Sequence, residues 1–222
     1  MKARFFSILV LVANLSSCAG YHFNTSSNPL QSYDVRSVSV PMFINRSNIP
    51  ELAAPMTREI TFALNDYPGI KVQSGNDKTA DAVLIGIIDS VDHYNEAVKT
   101  TNQLFTDNTV KDSVGERAPF YYPVATSYEF SLKIILIKNP TQEELDLLTT
   151  DLGQFMKVNP KVVLMDSLPI SGSFGRVVSE NTSATSPGKT NFVKNRGIFE
   201  KSINDAAINV AKTFKQVVLN AF

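Results

Sequence analysis

Seven consecutive residues constrain this chain most: Ala82-Val83-Leu84-Ile85-Gly86-Ile87-Ile88. A near-continuous apolar run this short reads as a strand in the middle of a sheet, covered on a face and paired on both sides. The rest of the sequence arranges itself around that strand by changes of hydrophobic period. Residues 35–44 alternate, with Val38, Val40, Met42 and Ile44 set against Ser37, Ser39 and Pro41. Met56, Ile60, Ala63, Leu64 and Tyr67 then fall at helical spacing, with Pro55 at the helix start and Pro68-Gly69 as its stop. Residues 70–73 form a short strand. Residues 128–137 alternate again, Tyr128, Phe130, Leu132, Ile134 and Leu136 against Glu129, Ser131 and Lys133. Residues 162–173 read as a further strand, whose Pro169 marks an edge or a bulge. The Gly172-Ser173-Phe174-Gly175 stretch lacks a Gly-Lys-Ser/Thr ending and reads as a bulge or turn, not a phosphate loop. A long stripe closes the chain: Phe199, Ile203, Ala206, Ala207, Val210, Phe214, Val217 and Ala221.

The resulting order is β-α-β-β-β-β-α. Its simplest packing is an α+β two-layer sandwich: a mixed, mainly antiparallel sheet of four to five strands with two helices packed on one face. The opposite face then has an alternating, partly apolar character that can meet a partner or a lipid chain. Two segments interrupt the order. Residues 96–124 are mostly polar and read as a long loop. Residues 139–161 carry a helix of their own, with Leu145, Leu148, Leu152 and Phe155 on one side and Pro140 near its start. Residues 179–191 read as a polar loop.

The N-terminus reads as a targeting signal. Lys2 and Arg4 precede an apolar run from Phe5 to Leu15, broken only by Ser7 and Asn14. That run is too short for a spanning helix, which needs about 20 residues. The chain has one cysteine, Cys18, so no internal disulfide can form. Leu15-Ser16-Ser17-Cys18 resembles a bacterial lipobox, in which the thiol receives a diacylglycerol, the chain is cut before the cysteine, and the new amine is acylated. Several acyl chains make a stable anchor, at ~0.8 kcal/mol per buried CH₂. Ala19, where enterobacterial inner-membrane lipoproteins carry Asp, points to the periplasmic face of the outer membrane. Residues 24–32, rich in Asn, Ser and Pro, read as a tether.

Charge excludes one class. Lys plus Arg and Asp plus Glu are both 21, and loss of Lys2 and Arg4 leaves 19 against 21. No basic field of the kind nucleic acid requires is present. Catalysis finds no support either. His93 lies beside Asp89 and Asp92, but no G-x-S-x-G motif supplies a nucleophile. With His22 the only other histidine and a single cysteine, no metal-ligand spacing exists. The chain is read as a non-enzyme without metal or cofactor, apart from the covalent lipid on Cys18.

Several of these residues together resemble the lipopolysaccharide-assembly lipoprotein family, LptE. The lipobox is followed by Gly20-Tyr21-His22-Phe23. Pro41, Phe43, Asn45 and Ser47 match the family's Pro-x-Phe-x-Asn-x-Thr/Ser strand end. Ala80, Asp81, Leu84 and Gly86 match its Ala-Asp-x-x-Leu-x-Gly strand. The resemblance covers residues 15–94; Ala19 displaces the family's glycine by one place, and the 96–124 and 139–161 insertions depart from its pattern. It implies a signal peptide at 1–17, a lipidated tether at 18–32 and one domain at 33–222. It also implies a role as plug and assembly factor of an LptD-like outer-membrane β-barrel that moves lipopolysaccharide to the outer leaflet. A wide barrel has a water-filled lumen unless something occupies it. Lys99, Lys111 and Arg117 then become candidate lipopolysaccharide contacts, since cations pair with phosphate. Their other reading is scattered surface charge among Asp107, Asp112 and Glu116. Phe120, Tyr121 and Tyr122 become candidate barrel contacts, or else fold back on the sheet. The remaining alternative is a lipid-anchored binding or scaffold protein of another envelope complex.

Overall fold

A computed structural model of the chain describes residues 28–77, 79–90, 98–104, 121–177 and 192–219. Its strands are β1 (Ser37–Val40), β2 (Ile44–Asn45), β3 (Lys71–Ser74), β4 (Ala82–Ser90), β5 (Val98–Leu104), β6 (Tyr121–Lys138) and β7 (Val162–Gly175). Its helices are α1 (Ala53–Asn65), α2 (Gln142–Leu148) and α3 (Phe192–Thr213). The α+β class read from the sequence holds. The sheet has seven strands, in the order β3-β1-β4-β6-β5, with β2 also on β4 and β7 also on β6. β1 pairs parallel with β3 and β4, whereas β4, β5 and β7 all pair antiparallel with β6. The apolar run at 82–88 is the central β4, paired on both sides as its composition demands.

Two strands exceed the expected count. Proline breaks the alternation of 35–44 at Pro41, so β1 and β2 are separate. The backbone shift turns Phe43 into the core, 3 % exposed, and leaves Met42 62 % exposed instead of buried with Val38 and Val40. The polar 96–124 segment is not one loop. Its ends form β5 and the start of β6, paired from Val98↔Tyr128 to Leu104↔Tyr121. Cross-strand threonines and serines suit a sheet as well as a loop, which is why polarity alone misassigned them.

Helices α1 and α3 lie on one face. Glu51, just before α1, receives Arg196 (2.9 Å); Asn204 receives Arg58 (3.0 Å); Asp66 receives Lys215 (2.7 Å). These contacts ascend together, so the two helices run parallel. Exposed pairs of this kind stabilise little, and their part is to hold register. Beneath them Met56, Ile60, Leu64, Ile203, Ala207, Val210 and Phe214 meet Leu84, Tyr128, Phe130, Leu132 and Ile134 of the sheet in one buried cluster. The terminal stripe departs from its expected phase after Phe214. A π turn over Phe214–Val218 widens the helix, which puts Leu219 in the core and leaves Val217 54 % exposed.

The other face is not left open along its whole length. The 139–161 insertion folds back as α2 and a 3-10 segment, Asp151–Val158, rather than as one helix. Leu148 and Met156 close over Val83, Ile85, Ile87, Ile135 and Ile137. The insertion is fastened at both ends. Thr141 and Glu144 form a reciprocal N-cap (Glu144 N–H to Thr141 Oγ1 3.2 Å, Thr141 N–H to Glu144 Oε2 2.8 Å), and Lys161 Nζ reaches the same Glu144 oxygen at 2.8 Å. The Lys161 contact first, and the Thr141 N–H second, hold the Glu144 carboxyl below its ordinary pKa. The remainder of this face, Ser127 to Lys133 on β6 beside Ser167, Ser171 and Ser173 on β7, is hydroxyl-rich rather than partly apolar.

Glycines 172 and 175 sit in an unbroken antiparallel register with β6, so the stretch is a regular strand, not a bulge or turn. Gly172 is required there for another reason. A Cβ at this position would stand 2.2 Å from the Tyr128 hydroxyl, because the tyrosine ring of the neighbouring strand lies across it. β7 pairs with β6 and no other described strand, which places Pro169 on an edge.

Candidate functional site

The two sequence signatures at 41–47 and 80–86 meet where β1, β2 and β4 join. Asp81 Oδ2 accepts from the N–H groups of Arg36 (3.0 Å) and Ser37 (2.8 Å) and from Ser37 Oγ (2.8 Å). In return the Asp81 N–H donates to Ser37 Oγ at 2.9 Å. The Ser37 hydroxyl first, then the Arg36 N–H, hold the Asp81 carboxyl below its ordinary pKa. Gly86 leaves room for Phe43, whose ring atoms would lie 2.4–2.6 Å from a Cβ. Asn45 builds the turn that follows: its side chain donates to the Ile49 carbonyl (2.6 Å) and accepts from the Ser47 N–H (3.0 Å) and hydroxyl (2.6 Å). These hydrogen bonds lie within the fold and set strand register.

The Asp81 lock has a pH signature. A carboxylate held below its unfolded pKa contributes stability above that unfolded value, near 3.9, and the contribution is lost as pH falls through the lower folded value. Asp81→Ala is expected to cost about 2 kcal/mol at pH 7, because hydrogen bonds to charged groups contribute ~1.5–3 kcal/mol. The gap between variant and parent should shrink as unfolding is measured at pH values below the ordinary carboxylate range. A gap that stays constant to acid would mean that the carboxylate charge plays no part.

The chain's first described residue is tied down firmly. Asn28 donates to the Val35 (2.7 Å) and Gly69 (3.3 Å) carbonyls and accepts from the Leu30 N–H (2.8 Å), and Leu30 is buried. Asn28 and Leu30, which the sequence places in the 24–32 tether, are thus packed on the domain. Cys18 stands ten positions earlier. Ten residues reach at most about 35 Å.

Of the candidate contact residues, Lys99, Tyr121 and Tyr122 lie on described strands. Lys99 lies on β5 opposite Ser127, exposed, on the sheet face away from α1 and α3. Tyr121 and Tyr122 are backbone members of β6, paired with Leu104 and Gln103. Cys18, Lys111, Arg117 and Phe120 lie outside the described residues, as do His22 and His93. Among the described residues, no three His, Cys, Asp or Glu side chains gather to hold a metal ion. Among the same residues, no helix is long and apolar enough to cross a membrane.

No protein-family model matches the chain, and no curated protein matches it. Solved structures give distant matches. A lipoprotein candidate from Caulobacter crescentus CB15 superposes with TM-score 0.37 at 9% identity, covering 81% of this chain and 89% of that one. The PelC dodecamer from Paraburkholderia phytofirmans gives 0.35 at 11%, covering 82% and 86%. A hypothetical protein from Chlamydia trachomatis gives 0.31 at 11%, covering 79% and 95%. Likeness at this level carries no functional inference.

Proposed function

We propose that this chain is a lipid-anchored, non-enzymatic protein of the outer membrane's periplasmic face, held by acyl chains on Cys18. In that position it serves as plug and assembly partner of an LptD-like β-barrel in lipopolysaccharide transport. The observation that carries the reading is Leu15-Ser16-Ser17-Cys18 behind a short apolar run, ten positions ahead of the Asn28 tie-down. Such an anchor keeps the domain within about 35 Å of the bilayer. Tethering then raises the effective concentration of any membrane-embedded partner without adding contacts. The LptE-like signatures support the barrel as that partner. Lys99 and the 120–122 aromatics are its candidate contacts.

One observation favours a broader second reading, a scaffold for another envelope complex. The residues that carry the LptE resemblance, Phe43, Asn45, Asp81 and Gly86, are consumed in folding. They speak for a shared architecture more than for a shared partner. The deciding experiment is a pull-down of the tagged full-length protein from gently solubilised membranes, with Cys18→Ala as control and partners read by mass spectrometry. The expected result is one large β-barrel in near-equal amount, and loss of membrane retention in the control. Retention without a barrel would transfer the assignment to the scaffold reading. Unchanged retention of Cys18→Ala would sink the anchor itself.

A further inference from the structure

Among the described residues, the outer edge of β7 pairs with no other strand. Pro169 stands opposite Ser131 of β6. Proline has no N–H, so this pair cannot exchange hydrogen bonds, and the Pro169 backbone faces away from β6. The register is unbroken from Leu164 to Gly175. Backbone direction alternates along a strand, so the N–H and C=O of Ser171 and Ser173 also point outward. The Ser202 hydroxyl of α3 donates to the Ser173 carbonyl (3.3 Å), in agreement with that direction.

The two halves of this edge are treated differently. Asp166 and Pro169 blunt the first half, as proteins commonly do to stop strands from pairing with strangers. The second half, Ile170 to Gly175, holds neither charge nor proline. It is walled by α3, and the space between is a groove of about 340 Å³ lined by Ser171, Ser173, Ile198, Lys201, Ser202 and Asp205 among others. That volume falls at the small end of ligand pockets, ~300–1,000 Å³. Lys201 and Asp205 pair with each other, so the wall selects no net charge. An open strand edge beside a helix recognises extended backbone, whose alternating N–H and C=O groups match its own.

We propose that this groove receives an extended peptide segment of a partner protein, added to the sheet as a further strand along Ser171 to Ser173. The segment would be about five residues long, the length of an ordinary strand. Small uncharged side chains would face Ile198 and Ala206 at the groove wall. A second copy of this chain fits less well. In an antiparallel β7–β7 pair both α3 helices would stand on the same side of the joined sheet and meet across the seam. The inference concerns the folded domain and holds with or without a lipid on Cys18.

The test begins with the full-length chain as bait for a phage-displayed library of random dodecapeptides. The selected peptide is then synthesised and titrated. Ser171→Ala keeps the outward N–H and is expected to bind within about twofold of the parent, whereas Ser171→Pro and the groove-filling Asn209→Trp should each weaken binding at least about tenfold. Bound peptide should also slow hydrogen exchange at the Ser171 and Ser173 amides. If Ser171→Pro does not fold, as judged by circular dichroism, Asn209→Trp and the exchange pattern carry the test. A library without binders, or a binder indifferent to the groove substitutions, overturns the proposal. So does a chain that dimerises and is made monomeric by Ser171→Pro, which would assign the edge to a second copy.

Discussion

Replacing Gly86 by alanine is expected to destabilise the protein by about 2 kcal/mol, the middle of the range for overpacking a core. Two effects compete at this site. Alanine restricts the unfolded chain, which alone would stabilise by ~0.4–1 kcal/mol. Against it, the new methyl would stand 2.4 Å from the Phe43 ring, a distance that no relaxed contact allows. Phe43 is 3 % exposed and belongs to the main buried cluster, so its ring has little room to retreat. The clash therefore wins. Phe43→Ala on its own should cost about 4 kcal/mol through the cavity it leaves. Combined with Phe43→Ala, Gly86→Ala should cost well under 1 kcal/mol and can turn favourable, because its obstacle is gone. The cycle is read from urea unfolding of the four proteins at one pH. Additive costs would mean that the ring and the glycine are not the matched pair the geometry makes them.

That pair also explains how much the sequence could disclose. Phe43 and Gly86 are separated by 43 positions. Each was visible as part of a signature, yet nothing in either signature said that one is the space for the other. Period and punctuation showed the elements that rest on local chemistry: β4 from its apolar run, α1 between Pro55 and Pro68, the edge position of β7 from Pro169. They failed where tertiary contacts decide. Polar residues 98–104 become a strand only because β6 extends to Tyr121 and offers a partner. The phase of α3 changes at a π turn that no side-chain pattern announces. The β7–α3 groove has a faint signal, an uncharged Ile-Ser-Gly-Ser-Phe-Gly run after Pro169, but its helical wall arrives from residues far along the chain. The candidate contact residues were chosen by charge and aromaticity, and those properties do not say which of them share a surface.

The larger departure from expectation, the fold-back of residues 139–161, leads to the second strong effect. A segment that interrupts two strands reads as a peripheral addition. Here it covers the apolar end of a sheet face that is otherwise hydroxyl-rich. On β6 the outward positions run Ser127, Glu129, Ser131 and Lys133, then change to Ile135 and Ile137; on β4 Val83 and Ile85 stand directly opposite those two isoleucines. Leu148 is fully buried over this patch. Leu148→Ala should therefore cost about 3 kcal/mol, as for other buried leucines. Replacing residues 141–159 by a short Gly-Ser turn should do more. It would leave Val83, Ile85, Ile87, Ile135 and Ile137 as one contiguous apolar surface, of the kind that drives association. The expected outcome is a chain that scatters more light than the parent at equal concentration and that melts at lower temperature. If excision changed neither the scattering nor the midpoint, the insertion would be a detachable lobe. With five buried aliphatic side chains beneath it, and with Glu144 clamped by Lys161 at the start of β7, the packing argues for a third layer of the domain.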